Sequence, residues 1–257
     1  MIIDKIKSWV SKDDSVVECT TNKHGVYKWG DIDVSNKSLP SWWKDIPNTF
    51  NDSNHFGFKK PASRSVFSNF KPLLPTIKYC PAIQGIFSSG LIIKAWSDIK
   101  IFVSPEGYVD SIQALDDFIM DKDGTQHPYS QRAGFLPNHV HWKIHSPWAL
   151  STKKYRKFFF SGAYLWNPSL IENNIFIIPG HIDFYTQHGT EINMFLPIKN
   201  EPYEINFKLG DPLVHLFPLD GKPVKVNKKL IEEKEFRTLD NFHPKFINSA
   251  GLLKNKR

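Results

Sequence analysis

From Val140 to Leu219 the chain reads VHWKIHSPWALSTKKYRKFFFSGAYLWNPSLIENNIFIIPGHIDFYTQHGTEINMFLPIKNEPYEINFKLGDPLVHLFPL, and this stretch decides the fold. Short apolar runs recur in it: Val140 to Ile144, Phe158 to Tyr164, Asn174 to Ile178, Ile182 to Tyr185, Glu191 to Leu196, Tyr203 to Phe207 and Leu213 to Phe217. Each is too short for a helix of ordinary length, and Gly, Pro, Asn and Asp fall between them. Strand-length runs broken at such intervals indicate an antiparallel β-sandwich, a jelly roll or a small barrel.

Working outward, Leu91 to Trp96 and Ile99 to Val103 read as two strands joined at Ser97-Asp98, a hairpin, preceded by a short helix over Cys80 to Phe87. The segment Leu39 to Pro47, LPSWWKDIP, sets two tryptophans between prolines, as in a short helix or turn pinned to a core. Asn48 to Pro75 is polar and reads as a long excursion, Asp116 to Gln131 as a loop, and Ile2 to Val10 as a short amphipathic helix. Asn227 to Phe236, NKKLIEEKEF, reads as a closing helix with Asn227 as its N-cap. The chain divides accordingly into an N-terminal extension over 1–75 packed on the core, a β-sandwich core over 76–225, and a C-terminal helix and tail over 226–257.

Composition narrows the function classes. With 40% hydrophobic and 14% aromatic residues, the 257-residue chain has ample material for a folded core. No run approaches the length of a spanning helix, and Met1 to Val10 interleaves charge with apolar residues, unlike a signal peptide. These features point to a soluble protein of the host cytoplasm or a virion. Two distant cysteines, Cys19 and Cys80, supply neither a disulfide framework nor a thiolate zinc site. A net charge of +7 is spread over short runs such as Lys153 to Lys157. Nucleic acid is therefore supported as a partner by the basic balance alone.

Three constellations could carry chemistry. His139, His141 and His145 alternate along one strand, which sets three imidazoles on one face together with Lys143, a row suited to a divalent metal. The plainer reading is the polar face of a half-exposed strand. His181, Asp183 and His215 have the composition of the facial triad that holds non-haem iron, which would make the protein a 2-oxoglutarate-dependent oxygenase; the plainer reading is local hydrogen bonding within strands. The third uses Gly180 to Tyr185 with Leu209 to Val214, which resembles motifs of dUTPase-like proteins. That resemblance implies that Asp183 orients a water for attack on a phosphate and that Tyr185 stacks on a sugar. The phosphate-binding Pro-Arg-Ser motif and the glycine-rich arm of that family are missing here, so it implies a fold more than an activity.

The ordered segments LPSWWKDIP, TIKYCPAIQGIFSSGLII, WKIHSPWAL, PGHIDFY and LGDPLVHLFPL together resemble an uncharacterised family of tailed bacteriophages, especially marine ones, and some bacteria. The resemblance runs from about Leu39 to about Phe236 and is most specific at Ser146-Pro147-Trp148 and Gly180 to Asp183. It implies a mainly β protein with a dUTPase-like or jelly-roll core and a few short helices, and it brings no mechanism. The sequence thus leads to a non-catalytic virion, assembly or accessory binding module whose partners are other phage proteins or further copies of itself. The alternative is a metal-dependent enzyme on the same β core. A third reading is a carbohydrate-binding or host-surface module that uses Trp42, Trp43 and Trp148.

Overall fold

A computed structural model of the chain describes residues 15–51, 73–114, 124–128, 130 and 134–240. The readings placed on Ile2 to Val10, on most of Asn48 to Pro75 and of Asp116 to Gln131, and on the terminal KNKR lie outside these residues. The chain is mainly β, with strands β1 (Val16–Thr21), β2 (Ile32–Val34), β3 (Thr49–Asn51), β4 (Leu73–Pro75), β5 (Leu91–Lys94), β6 (Asp98–Val103), β7 (Val109–Ala114) and β8 (Gly124–Gln126) in its first half. The second half adds β9 (His139–Thr152), β10 (Lys157–Gly162), β11 (Phe176–Ile177), β12 (Gly180–Asp183), β13 (Gly189–Pro197), β14 (Tyr203–Phe207), β15 (Pro212–Pro218) and β16 (Lys225–Leu230). The short helices are α1 (His24–Trp29), α2 (Ser41–Asp45), α3 (Pro81–Ser88), α4 (Ser169–Glu172) and α5 (Glu233–Asp240). None of the described helices is long and apolar enough to cross a membrane.

Two open sheets form the sandwich. The first runs β11-β13-β9-β1-β16, with β8 also pairing to β9, and the second runs β12-β10-β15-β5-β2. Each has distinct edge strands, so no barrel closes, and the dUTPase-like barrel gives way to the sandwich. Alternation decides which side chains turn inward. On β10 the buried Phe158 and Phe160 alternate with partly exposed neighbours, and the register with β15 sets them opposite Pro218 and Leu216. They meet Val140, Trp142, Ile144, Ile192 and Met194 from the first sheet in one core cluster. A third sheet, β14-β6-β7, adds Ile99, Ile101, Val103, Ile205 and Phe207 to the same cluster. Each fully buried side chain of this size contributes about 1.5–3 kcal/mol relative to exposure.

The opposite face of the second sheet is also covered. Ile92 lies across from His215 in the register and packs with Phe87, Ala163 and Trp166, against which Leu39, Trp42, Trp43, Ile83 and Ile86 are seated. The prolines of LPSWWKDIP bracket α2 as expected, and its tryptophans anchor this helical layer. Trp148 is fully buried in the main core, which removes it from any exposed aromatic surface.

Two readings of local structure are corrected. Leu91 to Val103 is not a hairpin: β5 pairs with β15 and β2, whereas β6 pairs with β14 and β7 in the third sheet. The chain crosses between sheets at Ala95 to Ser97, where Trp96 is fully buried. The closing helix begins later than Asn227, because Lys225–Leu230 is a strand that pairs in parallel with β1, and only Glu233–Asp240 is helical. Parallel pairing with β1 overrides the local helical pattern. Segments 1–75 and 226–257 thus both supply strands to the main sheets.

Candidate functional site

The β9 register confirms that His139, His141, Lys143 and His145 share one face, opposite Pro197, Phe195, Asn193 and Glu191 of β13. They are fanned along the strand, not gathered. Alternate residues of a strand stand about 6.6 Å apart, whereas metal ligands sit about 2.1 Å from a common ion. Each imidazole is also engaged by a different neighbour. His139 accepts a hydrogen bond from Asn174 Nδ2 at 3.2 Å. His141 donates from Nε2 to Asn193 Oδ1 at 3.1 Å and is stacked between His127 (4.3 Å between ring centres) and Phe195 (4.9 Å). His145 and Lys143 both turn to Glu191, at 3.3 and 2.8 Å. The hydrogen bond from His145 and the adjacent Lys143 ammonium hold the Glu191 carboxyl down to about 2, against the opposing effect of burial.

The second constellation is not gathered either. β10 lies between β12 and β15, with His181 opposite Phe159 and His215 opposite Ser161. His181 packs its edge against Phe159, whereas His215 is buried against Trp166 and donates from Nε2 to the carbonyl of Ser89 at 2.8 Å. Burial pushes the His215 imidazole below its ordinary pKa, opposed by that hydrogen bond. Asp183 caps a turn, accepting from the backbone N–H of Arg156 at 3.3 Å and of Tyr185 at 3.1 Å. The Tyr185 side chain stands out from the surface, 48% exposed, so Asp183 and Tyr185 do not form the catalytic pair that the dUTPase resemblance implies. Among the described residues no three His, Cys, Asp or Glu side chains come together to hold a metal ion. The metal-ligand roles read for His139, His141, His181, Asp183 and His215 are therefore corrected: hydrogen bonds of the fold occupy His139, His141, Asp183 and His215, and His181 stands apart against Phe159.

The cleft best suited to a ligand lies elsewhere, where the helical layer meets the second sheet. It encloses about 530 Å³. Trp42, Trp166, Leu39, Pro40, Pro168 and Pro212 form its apolar walls, and Lys37, Lys44, Lys94 and Ser38 line the rest. Trp42 is held by a hydrogen bond from Nε1 to the carbonyl of Leu165 at 2.7 Å, and Trp166 by an edge contact to Phe87 at 4.9 Å. Lys94 pairs with Asp31, and Lys37 with Asp33 at 3.6 Å. Lys44 has no carboxylate partner among the described residues. Two wall atoms, Ser38 Oγ and Trp166 Nε1, are buried and have no hydrogen-bond partner among them. Most buried polar groups are paired, so two unmet atoms in one cleft mark it out.

A second cleft of about 380 Å³ is lined by Glu106, Tyr108, Gln126, His127, His141 and Ile198 among others. Most of its polar groups are already committed: Glu106 accepts from Ser104 at 2.7 Å and Gln126 bonds the carbonyl of Gly107 at 2.7 Å. His127 Nε2 alone is unmet and not otherwise engaged there. The first cleft escaped sequence reasoning because its walls come from Lys37 to Lys44, Lys94, Trp166 to Pro168 and Gly210 to Pro212. The tryptophan pair was the one visible signal. No protein-family model matches the chain, and no curated protein matches its sequence.

Proposed function

We propose that the protein is a non-catalytic β-sandwich binding module, serving a tailed phage as a virion, assembly or accessory component and holding its ligand in the tryptophan-walled cleft. The cleft carries this reading. Its walls are rigid, its volume falls within the roughly 300–1,000 Å³ usual for small-molecule sites, and its polar groups converge without a catalytic acid, base or nucleophile among them. The enzyme alternative required side chains that the fold holds apart. The phage setting is supported by the resemblance of the ordered segments from LPSWWKDIP to LGDPLVHLFPL. Quantitative mass spectrometry of purified particles against infected-cell lysate tests the placement. Enrichment in particles is the expected result, and presence in lysate alone refutes a virion role. Incubation with candidate ligands followed by product analysis tests the non-catalytic part, which turnover would refute.

A further inference from the structure

The chemistry of the cleft specifies what it holds. Trp166 is only 5% exposed, and an indole N–H can donate but not accept, so its unmet Nε1 calls for a ligand that brings an acceptor. Ser38 Oγ can take or give a hydrogen bond, as a hydroxyl does. The walls of Trp42, Trp166 and the three prolines offer flat apolar surface that is already ordered, and so lose little freedom on binding. A pyranose ring fits both demands, with one face of C–H groups to lie on indole and an edge of hydroxyls to bond.

Charge sets the second half of the specificity. Three ammonium groups line the cleft and no carboxylate does. Lys37 and Lys94 are answered by Asp33 and Asp31 behind them, which leaves Lys44 as the cation without a carboxylate partner among the described residues. One uncompensated positive charge matches a ligand with one carboxylate. A nucleic acid strand brings a negative charge with every nucleotide, and the side chains of Asp31 and Asp33, still 43% and 29% exposed, would repel it. We propose that the cleft binds an acidic carbohydrate, with a sugar ring against the Trp42 and Trp166 wall and its carboxylate facing Lys44. This rests on the reading of the cleft as the ligand site of a binding module.

The test titrates the full chain, by tryptophan fluorescence and calorimetry, with three probes: a trimer of galacturonic acid, the same trimer as its neutral methyl ester, and a four-residue oligothymidylate. Saturable binding of the acid trimer is expected, at least tenfold tighter than the ester. Lys44→Gln, at an exposed position, is expected to reduce the acid to the affinity of the ester, to leave the ester unaffected and to leave the melting temperature unchanged. Trp166→Phe, which keeps an aromatic ring but removes the N–H, is expected to weaken both sugars. Equal affinity for acid and ester, or binding of the oligothymidylate in place of the trimer, overturns the acidic-sugar assignment and leaves a ligand site at the cleft. Silence with all three probes overturns both. Cleavage of the trimer, seen by chromatography of the incubated sample, overturns the non-catalytic reading alone.

Discussion

Replacing Gly90 by alanine is expected to cost about 3–4 kcal/mol of stability, a large share of the roughly 5–15 kcal/mol that a folded domain has in total. Gly90 joins α3 to β5 with φ at +84°, in the left-handed region, where a side chain costs roughly 1–2 kcal/mol. A Cβ built there would lie 2.0 Å from the carbonyl oxygen of Leu216 and 3.2 Å from His215 Nε2. The first of these is backbone in β15, so the link itself must move. The movement strains the hydrogen bond from Ser35 N–H to the Gly90 carbonyl (3.0 Å) and those from Ser35 Oγ (2.7 Å) and His215 Nε2 (2.8 Å) to the carbonyl of Ser89. Loss of two such bonds adds about 2 kcal/mol. Urea denaturation followed by tryptophan fluorescence reads the change as a shifted midpoint at constant slope. Gly85→Ala is the matched control: a Cβ there meets nothing within 4 Å, and within α3 it is expected to gain about 0.5–1 kcal/mol. A loss below about 1 kcal/mol at Gly90 would refute the argument that the backbone contact is rigid.

Three further outcomes are expected. Glu18→Gln should cost about 1–3 kcal/mol and speed hydrogen exchange over 225–230, because the buried carboxylate accepts from Asn227 Nδ2 at 2.6 Å and Lys229 Nζ at 3.1 Å and an amide keeps only the first; unchanged exchange would show that this pair does not hold β16. Burial pushes the Cys19 thiol far above its ordinary range, so in the native protein a disulfide reagent should modify Cys80 first and Cys19 only on unfolding, and fast reaction of both would contradict the packing of β1. Burial also lowers the pKa of His188 and His215, so the unfolded chain takes up protons near pH 6.5 that the native state refuses; stability should fall as pH drops below about 6.5. Glu191, held near 2, contributes stability above its unfolded value of 4.5 and loses it as pH falls from there toward 2. A flat stability profile between pH 7.5 and 5 would contradict the burial of the two imidazoles.

The strands were legible because their signal is local. Tyr203 to Phe207 coincides with β14, and the runs read for β10, β13 and β15 fall within two residues of the observed ends. Pairing partners were not legible, because period-2 alternation shows that a strand has two faces and not which strand it meets. That is why β5 and β6 read as one hairpin. Pro147 also hid the length of β9: a proline argues against a central strand, but here it sits where the register between His145 and Ala149 slips against Glu191 and Gly189, an irregularity that tolerates a residue without an N–H. The shared face of His139, His141 and His145 was read correctly from spacing. Their separate partners were not, because Asn174, Asn193 and Glu191 reach them only through tertiary pairing.

The parallel seam between β1 and β16 joins the first described strand to the last, with Glu18 and Asn227 in contact although 209 positions apart. During synthesis β1 can dock on β9 once residue 152 has emerged, but its other edge then has no strand to receive. At roughly 5–20 residues per second, the wait for residue 230 lasts roughly 4–16 s. For that interval the growing chain presents Val16–Thr21 as an open template beside a formed sheet, and any neighbouring chain with a free strand can pair there. The seam makes completion of the first sheet a late event in the life of each molecule, so expression rate and temperature should govern yield of folded protein more strongly than its final stability does.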